Sequence, residues 1–149
     1  MASNPDDALR AAREQKRQRE RDSRDESQQG ERELTAKWLQ LRERWMLAAK
    51  SFLELKAKDG YPDATIIRLY QRGPRIFFPK VAAWPLWHTQ TSPDSQSLPH
   101  TYYILADGRL AWGGENPQLL ELNVPRPAYA GDVGGLAASV EALESRIAR

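Results

Sequence analysis

The two histidines are the first residues to weigh, since imidazole both ligates metals and moves protons near neutral pH. His88 and His100 bracket a polar segment, residues 89–99, at the ends of two apolar stretches. If those stretches pair as a hairpin, the two rings meet across its mouth, with Asp94 as a third ligand. Such a trio would hold a metal ion or set a general base beside a bound water. The spacing matches no metal motif such as H-E-x-x-H. His88 and His100 therefore stand as weak metal candidates, and the reading assigns no metal and no cofactor.

Nucleophilic chemistry has less support. The chain has no Cys, which removes thiolate catalysis, sulfur-bound zinc and a disulfide scaffold. There is no G-x-S-x-G, and Ser92, Ser95 and Ser97 sit in the polar segment, poor ground for a preorganised site. Among the carboxylates Asp107, Glu115 and Glu121, the first has a structural use in a turn. Gly131-Asp132-Val133-Gly134-Gly135 precedes an apolar helical pattern but fits neither G-x-G-x-x-G nor a P-loop. Asp132 would repel an anion there and suits an N-cap. Catalysis is not expected.

Binding chemistry is better represented. Arg68, Arg72, Arg75 and Lys80 are interleaved with Tyr70, Phe77, Phe78, Trp84 and Trp87, and a basic helix precedes them. Cations beside exposed aromatics bind single-stranded nucleic acid. The bland reading places those aromatics in the core, and no helix-turn-helix, RNP or zinc-finger signature accompanies them. Trp84-Pro85-Leu86-Trp87 sets two tryptophans about a proline that weakens a strand, and Trp is enriched where partners dock.

The net charge of +2 over 149 residues conceals polarity. Residues 1–33 carry 8 basic and 9 acidic side chains, 34–58 carry 6 and 2, 59–90 carry 4 and 2, and 91–149 carry 4 and 7. A basic middle thus opposes an acidic C-terminal part. Two segments of opposite sign pack readily against each other, and a basic patch also attracts phosphates or acidic partners.

The elements that must position these residues follow from periodicity. Leu34, Trp38, Leu41, Trp45, Ala48, Phe52 and Leu55 are spaced 4, 3, 4, 3, 4, 3, with Leu39, Met46 and Leu53 beside them at sevens. That is one broad stripe of an amphipathic helix. Gly60 suits its left-handed C-terminal position, and Pro62 stops it. The stripe could also pair with a second copy of the chain, but Trp at two seam positions suits a helix lying on a sheet.

Upstream, residues 6–33 contain only Ala8, Leu9, Ala11 and Ala12 as apolar side chains. The segment has little area to bury and is expected as a disordered or solvated-helical extension, with Arg10/Glu14 and Lys16/Glu20 as supporting pairs. Downstream the period becomes two. Thr65–Tyr70 is one strand. Arg75–Pro79 and Val81–Trp87 form an edge or bent strand because of Pro79 and Pro85. Thr101–Leu105 and Arg109–Trp112 flank Asp107-Gly108, expected as a type I′ turn. Leu119–Leu122 adds a short strand or helical turn. Leu136, Val140, Leu143 and Ile147 mark a closing helix.

The fold expected is α+β, with the long and short helices packed on one face of an antiparallel meander of about four strands whose other face is solvated. Its domains are a charged extension, 1–33, and a single α+β domain, 34–149. No apolar run approaches the ~18 residues of a membrane helix, and residues 1–33 lack a signal-peptide core. The chain reads as a small soluble cytoplasmic binding module for a protein partner, with the extension and Trp84/Trp87 as surfaces. The alternative is a nucleic-acid-associated accessory protein using the basic helix and the Arg72/Arg75 turn. A homo-oligomer is compatible with both.

Overall fold

The computed structural model describes residues 4–89 and 99–149. Helix α1, Pro5–Lys58, is followed by strands β1, Thr65–Arg68, and β2, Lys80–His88, with one turn of 3-10 helix, Arg75–Phe77, between them. Strands β3, Thr101–Leu105, β4, Leu110–Gly113, and β5, Gln118–Leu120, lead to helix α2, Ala130–Ile147. The strands form an antiparallel sheet in the order β1-β2-β3-β4-β5. The architecture is α+β, with five strands where about four were expected. The addition is β5, only three residues long.

Helix α1 starts where Asn4 Oδ1 accepts the Asp6 N–H and runs about 80 Å. Residues 4–33 are all exposed. From Trp38 to Phe52 the predicted stripe is buried, as Trp38, Leu41, Trp45, Ala48 and Phe52. At its end, the Gly60 N–H reaches Ala57 O and the Tyr61 N–H reaches Lys56 O. With Gly60 at φ 73°, this pattern is a Schellman cap. Leu55 and Met46 stay largely exposed, because the sheet and α2 cover a narrower arc than the apolar stripe.

Both faces of the sheet are buried, not one. Trp84, Leu86, Ile104, Leu110 and Leu120 face the helices. Their neighbours Ala83, Leu105 and Ala111 point the other way and, with Ile67 and Leu69, form a second cluster. The sheet coils until its edges meet at one corner, where the Tyr70 N–H donates to Pro117 O at 2.7 Å. Ala83 and Ala111 supply the small side chains that a concave face can hold.

Strand β2 lies inside the sheet and not at its edge. Its pairing with β1 stops at Ala83, so Pro85 falls where no β1 residue needs its missing N–H. A register shift between Pro85 and Trp87 then restores pairing with β3. The β3–β4 turn also differs from expectation. The Gly108 N–H bonds Leu105 O, and Gly108 alone has positive φ there. The loop is therefore a three-residue turn with a left-handed glycine. Asp107 shapes it by accepting from the Arg109 N–H at 3.1 Å and from Arg109 Nε at 2.5 Å.

Helix α2 starts ahead of the expected cap. Tyr129 is the N-cap, and Asp132 sits in the first turn, accepting the Tyr129 N–H at 3.2 Å. Gly135 is needed on this helix, since a Cβ there would lie 2.5 Å from Tyr102 Oη.

Candidate functional site

The tryptophans are fasteners of the core. Trp38 donates to Val124 O at 3.1 Å, Trp45 to Gly108 O at 3.0 Å and Trp84 to Pro62 O at 3.0 Å. Each indole thus buries a large ring and satisfies its N–H on a loop carbonyl. Trp84 is 2% exposed, held between Phe52 and a stacked Tyr61. It has no surface to offer a partner, which corrects its place among the docking candidates.

Trp87 is half-buried and donates to Ser139 Oγ at 2.8 Å, while Ser139 donates back to Gly135 O at 2.7 Å. Its ring stacks on Tyr102 at 4.4 Å, and Tyr102 stacks on Trp112 at 6.0 Å. Burial first, and the Asp132 charge second, raise the Tyr102 phenol above its ordinary value. Trp87 serves the sheet–α2 junction, and its residual exposure is the rim of that stack.

The histidines do not converge. His88 pairs with Thr101, and its Nδ1 lies 2.7 Å from Thr101 Oγ1. His100 is one residue out of that register, so its ring projects from the opposite face and meets Trp112 edge-on at 5.4 Å. The ladder therefore separates the two rings that were weak metal candidates. Asp94, Ser92, Ser95 and Ser97 lie outside the described residues. Among the described residues no group of three His, Cys, Asp or Glu side chains could hold a metal ion.

The basic middle divides into cations with structural partners and cations without. On α1, Arg42 donates to Val124 O at 3.2 Å, Arg44 pairs with Glu144, and Lys56 lies over the Phe52 ring. Arg75 reaches Glu115 at 3.5 Å. The Arg44 and Arg75 pairs each join the basic middle to the acidic C-terminal part, so some of the charge polarity is spent internally. Arg68, Arg72 and Lys80 are exposed and make no ion pair among the described residues. Arg68 and Lys80 are also direct cross-strand partners, a like-charge placement that opposes pairing.

Beside these cations the 70–80 segment turns its apolar side chains outward. Ile76 is 82%, Phe77 64% and Tyr70 53% exposed, while Phe78 packs edge-on beneath Tyr70 at 5.3 Å. Pro74 and Pro79 explain why. Neither can donate to a ladder, so the residues between them close into a 3-10 turn. Ile66, 64% exposed, lies on the adjoining strand. Arg68, Arg72, Arg75 and Lys80 are recognisable from the sequence as candidate cations, whereas the exposure of Ile76 is not. The usable signal was the Gly73-Pro74 and Pro79 bracket, which takes Ile76-Phe77 out of any strand.

A groove of about 610 Å³ runs between α1 and Arg126-Pro127 and is lined by Leu34, Thr35, Ala36 and Leu39. It holds no convergent set of catalytic groups. No family model matches the chain, and no curated protein or solved structure is detectably similar to it, so its own geometry carries the functional argument.

Proposed function

We propose that the chain is a non-enzymatic binding module that engages a protein partner through Tyr70, Ile76 and Phe77, rimmed by Arg68, Arg72, Arg75 and Lys80. The observation that carries this reading is the 82% exposure of Ile76 next to the 64% exposure of Phe77. Clustered apolar side chains with a polar rim are the composition of interaction patches. The rim is cationic, so the complementary partner presents an apolar centre bordered by carboxylates. A cytoplasmic setting belongs to the same reading. No described helix is long and apolar enough to cross a membrane.

Nucleic-acid association through the same corner is the second reading. It is favoured by the Arg68/Lys80 pairing and by Arg72, three exposed cations beside exposed rings. One experiment separates the two. The intact chain and its Ile76→Glu/Phe77→Glu variant are used for affinity capture from the native cell extract, with and without nuclease. The protein reading expects a nuclease-resistant partner that the variant loses. A partner lost on nuclease treatment and with Arg72→Ala/Arg75→Ala selects nucleic acid. The same captured set with variant and wild type contradicts both. Capture of a second copy would identify the patch as a homo-oligomer interface.

A further inference from the structure

A second surface lies on the exposed N-terminal half of α1. Arg10, Arg13, Arg17, Arg21 and Arg24 are spaced 3, 4, 4, 3. Inside Pro5–Lys58 that spacing is a helical one. At about 100° per residue the five lie within an arc of about 80° and span about 21 Å. Between positions 10 and 24, every residue on that arc is arginine.

The arrangement opposes the helix that carries it, because like charges three and four apart repel. None of the five makes an ion pair among the described residues, although Glu14, Glu20 and Asp25 lie within helical reach. Helical support comes from other faces, where Gln18 Nε2 donates to Asp22 and Gln29 Nε2 to Glu33. The stripe therefore points five guanidinium groups at solvent.

We propose that this arginine face docks on the phosphates of a B-form DNA duplex. Three features select that occupant. From residue 13 to 33 the arm has no apolar side chain, so a protein interface with a buried apolar centre has nothing to grip. Six of the seven cations from 10 to 24 are Arg, whose planar fork matches phosphate oxygens. Residues 4–33 are exposed all round, and the major groove of B-form DNA, about 12 Å wide, admits an α-helix laid against one wall, whereas that of A-form RNA is too narrow. Laid so, the arginine face meets one backbone while Glu14 and Glu20, at its two margins, stay off the phosphates. The contact is sequence-independent, because guanidinium–phosphate bonds read no base edge. This surface is separate from the 70–80 patch and does not rest on it.

The test is fluorescence anisotropy of a labelled mixed-sequence DNA duplex titrated with the full chain over a salt series. Five engaged phosphates give a log–log slope of about -4.5, a loss of about 500-fold in affinity between about 50 and 200 mM salt. Substituting all five arginines by Gln removes most of the affinity at low salt, with helicity held by circular dichroism. Arg13→Gln/Arg17→Gln lowers the slope by about two. Lys16→Gln/Arg19→Gln, off the arc, leaves more than half of the affinity. Undetectable binding at about 50 mM salt overturns the proposal, as does equal binding by the five-Gln protein. Equal binding of duplex RNA contradicts the groove argument, and displacement by poly-glutamate at equal charge assigns the face to an acidic protein.

Discussion

Residues 76–78 and 84–87 have similar compositions, aromatic and aliphatic with a proline alongside, and opposite fates. Ile76 and Phe77 face solvent, whereas Trp84 is enclosed and Trp87 half so. The difference comes from what lies over each segment. Trp84 stands on a strand beneath α1 and finds an acceptor in Pro62 O. Ile76 and Phe77 stand on a 3-10 turn between two prolines, where both side chains remain exposed. Apolar composition sets how strongly a side chain prefers burial, and only tertiary placement decides whether burial is available.

The sharpest way to break this comparison is to truncate one member from each segment. Trp84→Ala is expected to lower stability by about 3–5 kcal/mol in urea unfolding, through the lost ring and its cavity. Phe77→Ala is expected to change it by less than about 0.5 kcal/mol. Equal losses would show that the outward segment also belongs to the core.

Next in size is Gly135→Ala. The new methyl would press on Tyr102 Oη, and the Tyr102 ring is held between Trp87 and Trp112. A loss of about 1–3 kcal/mol is expected, and a smaller one when Tyr102→Phe is already present, since the phenol oxygen is the closest atom. Ser139→Ala follows at about 1–2 kcal/mol in the same assay, because the Trp87 indole N–H loses its acceptor. An unchanged midpoint for Ser139→Ala would mean that Trp87 is held by stacking alone.

The smallest expected effect is a pH slope. Burial raises the Tyr102 phenol in the folded chain, while an unfolded tyrosine releases its proton near pH 10. Above that pH the folded state holds the proton and the unfolded state does not. Stability is therefore flat through neutrality and falls as pH rises past about 10. Thermal midpoints of wild type and Tyr102→Phe should diverge only there, with wild type the steeper.

Much of the fold is legible in the sequence where a pattern is long. The Leu34–Phe52 stripe survives because its period holds over several turns and a sheet lies opposite it. Strand β5 is marginal because three residues carry too little alternation. The turn at Asp107-Gly108 is readable as a turn but not by type, since the Asp107 carboxylate fixes it through Arg109. The buried second face depends on the Tyr70–Pro117 bond between distant segments, which no local pattern encodes. The candidate surface was legible by its charges, Arg68, Arg72, Arg75 and Lys80. Its apolar centre was hidden among aromatics that looked alike, and the metal candidates His88 and His100 were separated by a one-residue offset in the ladder.

The most direct test of the proposed surface is hydroxyl-radical footprinting of the chain, free and bound to its captured protein partner. Tyr70, Ile76 and Phe77 should react readily in the free chain and become protected on binding, with Trp84 unreactive in both states. Protection confined to residues outside 66–80, with Ile76 and Phe77 unchanged, would contradict the account.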